Sequence, residues 1–492
     1  VSLFGSICVS LLSQKGIAKI ESVVKRICEP KLSSGKKERI KMGNYKYLAK
    51  NIGVLALSNF ATKLLSFFLV PLYTSILTTE EYGTYDLFAT TVYLLVPILT
   101  MNIQDATIRF SLDKNYEKKD IISISLDIFG KGLVILLVFS AVNYVANLFQ
   151  IFNDYLLVFV LMYIFQALVG IMTAFARGCE KITEISIASV LGSIVFIGLN
   201  ILFLVFFRLG LMGYFLSSIL GNLSQVLYLT RVTQTWRYLR FRGINKDTEG
   251  SMLKYSCPLI ANTVAWWITN ASDRYVVMWL CGTAANGIYS VAYKIPSILN
   301  ILQSIFTQAW TLSAVKEFDP EDKDGFFSNM YNGFNCLMVL ACSFLILSDK
   351  FFARILYAKD FYNAWEYVPF LLISIVFGAT AGYIGGIFSA LKEAKMLAQS
   401  TTIGAVVNII LNIVLVSMVG AIGAAVSTAI SYIVVWGIRL CYMRKYLQAK
   451  LYLKRDIASY ILLVIQAVLL LLIPSGCIMY MIQIVLFIML IG

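Results

Sequence analysis

Apolar runs long enough to cross a membrane recur from residue 51 to the end of the chain, and no other feature narrows its choice of folds as far. A helix of roughly 20 apolar residues spans a bilayer while satisfying its own backbone hydrogen bonds. Windows of that length give fourteen candidate spans, near residues 52–77, 86–106, 128–149, 155–176, 184–207, 210–230, 256–280, 288–312, 327–348, 367–390, 397–418, 420–438, 457–474 and 477–492. Composition agrees: 59% of the 492 residues are hydrophobic and 14% charged, where a soluble domain has about a quarter charged. The expectation is an all-α polytopic membrane protein.

The formal charge is +14, and its placement between loops carries the information. Eleven Lys and Arg precede the first span, and every second loop after it is basic, so 33 of the 41 cations fall on one side. Four (Arg208, Lys350, Arg354, Lys359) fall on the other side. Cytoplasmic loops are the ones enriched in Lys and Arg, which predicts that both termini are cytoplasmic. The basic charge thus reads as topology, and no nucleic-acid partner is expected. Residues 1–41 contain no full span and no convincing signal peptide. Met42 stands just before the first span, so residues 1–41 read either as a basic cytoplasmic tail or as a segment upstream of the start.

Histidine is absent, which removes imidazole acid–base chemistry, Ser-His-Asp triads and imidazole metal sites. The nine cysteines form no C-x-x-C pair and read as small apolar residues, with no metal site expected.

The chain repeats itself. Glu80-Glu81-Tyr82-Gly83-Thr84-Tyr85 resembles Ala284-Ala285-Asn286-Gly287-Ile288-Tyr289 at an offset of 204 residues. Leu199-Asn200-Ile201-Leu202 with Gly210 and Gly213 matches Leu411-Asn412-Ile413-Val414 with Gly420 and Gly423, at offsets of 212 and 210. Both matches fall at corresponding places in the helix order. They predict two parallel six-helix lobes around a central cavity, plus two C-terminal helices. The organisation expected is a basic segment 1–50, an N-lobe 51–230, a basic linker 231–255, a C-lobe 256–442 and two last spans in 443–492. Pro71, Pro97, Pro258 and Pro296 fall in the first two spans of each half, where interrupted helices mark transport sites, and are hinge candidates.

Charges deep in spans are costly and mark function. Lys63 lies about 11 residues, roughly 16 Å, into the first span. Asp273 and Lys294 lie at equal depth on either side of the turn near Ala284, so an Asp273–Lys294 ion pair would leave Arg274 as spare positive charge. That pair reads either as part of an ion-coupling site or as a salt bridge that locks the hairpin. Three deep cations against one anion suit an anionic ligand such as a phosphate group. Asp86 and Lys131 are placed near span ends, at the interface.

These residues resemble a known family. Glu81-Tyr82-Gly83-Thr84-Tyr85, Gln104-Asp105-Ala106-Thr107-Ile108-Arg109, Pro258 with Asp273-Arg274, Gly287 through Lys294, and Phe361-Tyr362-Asn363-Ala364-Trp365 together resemble the bacterial O-antigen and capsular polysaccharide flippases. Those belong to the multidrug/oligosaccharidyl-lipid/polysaccharide exporter superfamily. The resemblance implies movement of an undecaprenyl-pyrophosphate-linked oligosaccharide across the bacterial inner membrane, with Lys63, Arg274 and Lys294 matching the cations that engage pyrophosphate. It implies no enzyme activity and no cofactor, leaves a coupling ion open, and suggests a polysaccharide polymerase and chain-length regulator as partners. The alternatives are a cation-coupled multidrug exporter, a flippase of the peptidoglycan lipid precursor, and a membrane glycosyltransferase or polymerase using Asp349, Asp360 and Glu366 of the loop 348–367.

Overall fold

The computed structural model describes residues 67, 69–113, 115–239, 245–316, 319–391 and 393–491. All lie in the compact unit Val54–Gly492. The described residues are helical, with connecting turns and no strand. In chain order the helices used below are α1 Val70–Ile76, α2 Thr79–Leu99, α3 Ile103–Ser111, α4 Lys118–Ala146, α5 Leu156–Gly178 and α6 Ile182–Asn200. They continue as α7 Gly210–Thr233, α8 Lys246–Cys281, α9 Thr283–Ala292, α10 Pro296–Lys316, α11 Phe326–Leu356 and α12 Val368–Ala390. The last four are α13 Ala394–Val419, α14 Ile422–Met443, α15 Leu453–Leu472 and α16 Cys477–Ile491.

Every expected span from the second onward coincides with one of these helices or a broken pair; most of 52–77 lies outside the described residues. Among the described residues eight helices are long and apolar enough to cross a membrane, or nine if the bent pair α2–α3 counts as one span. α7, α8 and the α9–α10 pair occupy expected spans but are interrupted or richer in polar residues, and α16 is short. The chain is an all-α polytopic membrane protein of two six-helix lobes with two trailing helices.

The punctuation is local chemistry. Thr78 and Glu81 form a reciprocal capping box at the start of α2, with Thr78 N–H donating to Glu81 Oε2 at 2.8 Å and Glu81 N–H to Thr78 Oγ1 at 3.1 Å. Asn245 caps α8 by accepting from the backbone N–H groups of Asp247 and Thr248. Gly282 ends α8 at φ 90°, a conformation open to glycine at little cost. α2 and α3 meet at a 57° bend just after Pro97, where Met101 and Asn102 take left-handed backbone angles. Pro296 begins α10 after a break at residues 293–295, whereas α8 runs unbroken through Pro258.

Two buried clusters fill the N-lobe, one around Phe88, Tyr163 and Phe215, the other around Ile121, Ile171 and Phe175. A larger cluster fills the C-lobe around α12, whose residues are buried on nearly every face, and reaches across to Tyr73, Tyr82 and Tyr214 of the N-lobe. Such a helix belongs at the centre of a bundle. Val138, Phe139 and Val145 on α4 are exposed apolar residues, as expected of a surface that meets lipid. Hydrogen bonds tie α15 to α11, Tyr460 Oη to Asn335 Oδ1 at 2.7 Å and Ser343 Oγ to Gln466 Oε1 at 2.7 Å, and tie α16 to α15, Gln483 Nε2 to the Gln466 carbonyl at 3.0 Å.

The bundle has a basic end, carrying Arg109, Lys118, Arg177 and Arg444, and an opposite end where α1 meets α2 and α8 meets α9. α8 starts at Lys246, inside the segment expected as a linker, and Met252 joins the N-lobe cluster with Ile121 and Phe175. Farther along the same helix, Val277 belongs to the C-lobe cluster. α8 therefore stitches the lobes together from one end to the other.

Candidate functional site

At the opposite end the two copies of the repeated motif lie against each other. α2 and α9 cross at Gly83 and Gly287. A Cβ on Gly83 would stand 2.1 Å from the Thr283 carbonyl oxygen, and one on Gly287 would stand 1.9 Å from the Thr79 carbonyl oxygen. Thr79 and Thr283, like Gly83 and Gly287, are equivalent at the offset of 204. Residues equivalent in two repeats can touch as a pair only near the axis that relates them, so the lobes meet here on their pseudo-twofold axis. Asn286 Nδ2 donates to the Gly83 carbonyl at 3.2 Å and adds a hydrogen bond across the crossing. Around it, Tyr73 stacks on Tyr82 at 4.9 Å, and Phe361 meets Tyr82 edge-on at 6.0 Å.

One turn deeper is a cluster of charges. Arg274 Nε on α8 pairs with Asp86 Oδ2 on α2 at 3.1 Å, with the two side chains 19% and 17% exposed. Ser290 Oγ on α9 donates to the same Asp86 oxygen at 2.6 Å. Asp273 is 3% exposed and held differently. Its Oδ2 accepts from the Tyr289 and Tyr293 hydroxyls, each at 2.6 Å, and its Oδ1 accepts from the Arg274 backbone N–H at 3.0 Å. The Arg274 guanidinium also lies 5.1 Å from the centre of the Tyr293 ring. Lys294 sits in the break between α9 and α10, its Nζ 5.9 Å from the ring centre of Tyr73 on the N-lobe. Among the described residues Lys294 Nζ has no carboxylate or carbonyl partner. Two more bonds join the lobes toward the middle of the bundle: the Tyr275 hydroxyl with Thr91 Oγ1 at 2.5 Å, and Trp267 Nε1 to the Thr90 carbonyl at 3.0 Å.

This arrangement corrects several expectations. The ion pair is Arg274–Asp86, not Asp273–Lys294, because the tyrosine hydroxyls already satisfy Asp273. Arg274 is accordingly not spare charge; Lys294 is the cation of this cluster that has no acidic partner among the described residues. Asp86 is not interfacial, since α2 begins at Thr79 and places it at the contact between lobes. The described cluster therefore balances two cations with two anions, and the expected excess would rest on Lys63, which lies outside the described residues. Asp349 is not in a loop: α11 continues to Leu356 and buries it completely. Asp360 and Glu366 lie on a 3₁₀ segment, Lys359–Glu366. Arg439, one residue beyond the expected span 420–438 and so counted among the 33 cations of the basic side, is 7% exposed within α14 and donates to Ser400 Oγ, Thr401 Oγ1 and the Ala381 carbonyl. Of the hinge candidates, Pro97 precedes a bend and Pro296 opens α10 after a break, while Pro71 lies in the first turn of α1 and Pro258 inside an unbroken helix.

The site residues missed in the sequence are Asp86, Ser290, Tyr289 and Tyr293. A signal existed, because Asp86 and Ser290 are themselves equivalent at the offset of 204, as are Gly83 and Gly287.

Among the described residues no group of His, Cys, Asp or Glu could hold a metal. The cluster holds charge at the seam between the two halves.

Residues 48–315, more than half of the chain and every member of this cluster, match the model of a family described as polysaccharide biosynthesis protein. The chain belongs to that family. The matched region runs from the first span through the N-lobe and α8 to α10. No curated protein matches the chain. Among solved structures, this member of the family is similar to "Lipid II flippase MurJ, inward closed conformation", with a TM-score of 0.66 at 16% identity, covering 88% of this chain and 96% of that one. It is also similar to an inward-facing multidrug resistance MATE family transporter of the MOP superfamily, with a TM-score of 0.64 at 13% identity, covering 82% and 98%. A MOP superfamily transporter from Pyrococcus furiosus gives a TM-score of 0.56 at 13% identity, covering 81% and 96%. At these identities the likeness is one of fold.

Proposed function

We propose that the protein flips an undecaprenyl-pyrophosphate-linked oligosaccharide repeat unit, of O-antigen or capsule type, from the cytoplasmic to the periplasmic leaflet of the bacterial inner membrane. The observation that carries this reading is the placement of Arg274 and Lys294 at the seam between lobes of a polysaccharide-biosynthesis family member, with Lys294 lacking an acidic partner among the described residues. A guanidinium and an ammonium at one seam suit a pyrophosphate, the first by its fork and the second as a point charge. The basic end is cytoplasmic in this reading, and the glycine crossing closes the periplasmic end. The lobes rock between two closures, and the lipid tail stays in the bilayer while the sugars pass between the lobes. That path spares the polar head group the cost of entering hydrocarbon. The bend after Pro97 and the restart at Pro296 are the proposed hinges. A polymerase and chain-length regulator would then act on the delivered unit.

The test is a strain lacking the protein. Accumulated, completed lipid-linked repeat units with loss of surface polymer support the reading, and Lys294→Ala should reproduce that defect at normal protein levels. A normal surface without accumulation, accompanied by altered sensitivity to cationic compounds, would favour a multidrug exporter instead.

A further inference from the structure

Arg274 is paired and yet still has donors to give. Its Nε faces Asp86 Oδ2 at 3.1 Å without hydrogen-bond geometry, and the guanidinium makes no hydrogen bond to any described residue. A guanidinium has five N–H donors and is matched best by two oxygens held side by side. Asp86 offers a single oxygen to it, and that oxygen is already taken by Ser290 at 2.6 Å. The pair is therefore a charge contact across the seam rather than a bidentate clasp. Asp273, the neighbouring carboxylate, is already engaged by Tyr289, Tyr293 and the Arg274 backbone, so it holds the α8–α9 corner together and does not compete for the guanidinium.

We infer that Asp86 is an internal stand-in for the ligand's anion: it occupies the charge of Arg274 while the protein is empty, and an incoming pyrophosphate displaces it. The exchange rests on the proposed function, because it supposes that a phosphate-bearing ligand enters the seam. Its consequence is directional. Asp86 belongs to the N-lobe and Arg274 to the C-lobe, so moving Arg274 onto the ligand removes a charge contact that holds the crossing closed. Binding energy is then spent on opening one end. A ligand can shift such an equilibrium only by its differential affinity for the two states, and competition with Asp86 supplies that difference. No covalent bond is made or broken in the exchange, and Lys294, with no acidic partner among the described residues, meets the ligand without having to be displaced from one.

The experiment uses the full-length purified protein in nanodiscs with farnesyl pyrophosphate as the probe. Asp86→Asn keeps the shape of the side chain and removes its charge; it should bind the probe about tenfold more tightly than the wild type, the size of coupling typical between linked sites. Ser290→Ala loosens Asp86 without neutralising it and should fall between the two. Adding Arg274→Gln to Asp86→Asn should abolish the gain. In a cysteine-free background, spin labels at Leu148 and Leu280, both exposed, report the separation of the lobes at the opposite end. The probe should lengthen that distance in the wild type, and Asp86→Asn should lengthen it without the probe. Equal affinity and equal distances in the wild type and Asp86→Asn overturn the exchange and leave the flippase reading standing. Absence of probe binding to every variant overturns the anion-binding reading itself, and the exchange with it.

Discussion

The lobes touch at both ends of the bundle, and the two contacts are built on opposite principles. At the opposite end, backbone lies on backbone at Gly83 and Gly287, fenced by directional bonds from Asn286 and Ser290 and by the charge contact of Arg274 with Asp86. At the basic end, α8 leans on α3 and the N-lobe core through larger side chains: Met252, Tyr255 against Phe110 at 6.2 Å, and Cys257 Sγ near Met101 Sδ at 3.9 Å. Small residues and oriented bonds make a contact that is either fully made or lost. Flexible sulfur and aromatic side chains give a contact that can slide and repack. The first suits a latch, the second a bearing.

The comparison breaks most sharply at the glycines. Gly83→Ala or Gly287→Ala puts a methyl within about 2 Å of a carbonyl oxygen on the other lobe. Overpacking of this kind costs about 1–3 kcal/mol, a roughly 5–150-fold bias against closure. A cysteine placed at Thr84 should then react readily with a membrane-impermeant thiol reagent, and flipping should fall in step. Unchanged labelling would show that the crossing is not the closure.

Arg274→Ala comes next. Both partners are about one-fifth exposed, so the loss to the closed state is about 1–2 kcal/mol after allowing for solvent screening. Accumulation of lipid-linked oligosaccharide should follow, with Arg274→Lys giving a partial defect because a lysine lacks the fork. Full activity of Arg274→Ala would remove this residue from the mechanism. Tyr289→Phe or Tyr293→Phe takes one of two hydroxyl donors from Asp273, at about 1 kcal/mol each. The double variant should lose more than the sum, and thermal unfolding in detergent would reveal additivity if the two act independently. The smallest effect belongs to the bearing: Cys257→Ala should stay within about 0.5 kcal/mol of wild type in the same melt and transport normally.

Much of this architecture was readable in advance, for identifiable reasons. Hydropathy located the spans because lipid imposes one rule along the whole chain. The offset of 204 revealed the halves because Gly83 and Gly287 stand where the crossing leaves no room for a side chain, and Tyr85 and Tyr289 recur as packed rings beside it. Arg274 and Lys294 stood out because charges inside spans are costly. What failed was partnership. Asp86 was assigned to a span end by counting apolar residues, but the helix starts at a capping box seven residues earlier and carries Asp86 to the seam. Arg439 looked like a loop cation because hydropathy cannot see Ser400, Thr401 and the Ala381 carbonyl waiting on neighbouring helices. A residue's partners depend on helix rotation, and apolar windows contain no rotation.

Positions 86 and 290 also bear on how such a chain can come to exist. In two identical polypeptides crossing at this axis, both positions would hold the same residue. Two aspartates there would repel, and two serines would leave Arg274 without a counter-charge. Likewise one glycine-to-alanine change would strike the crossing twice. Joining the halves in a single chain releases each side from copying the other: Asp86 can face Ser290, and Glu80-Glu81 can differ from Ala284-Ala285. Asymmetry in charge across a symmetric crossing is something that only a fused pair can hold.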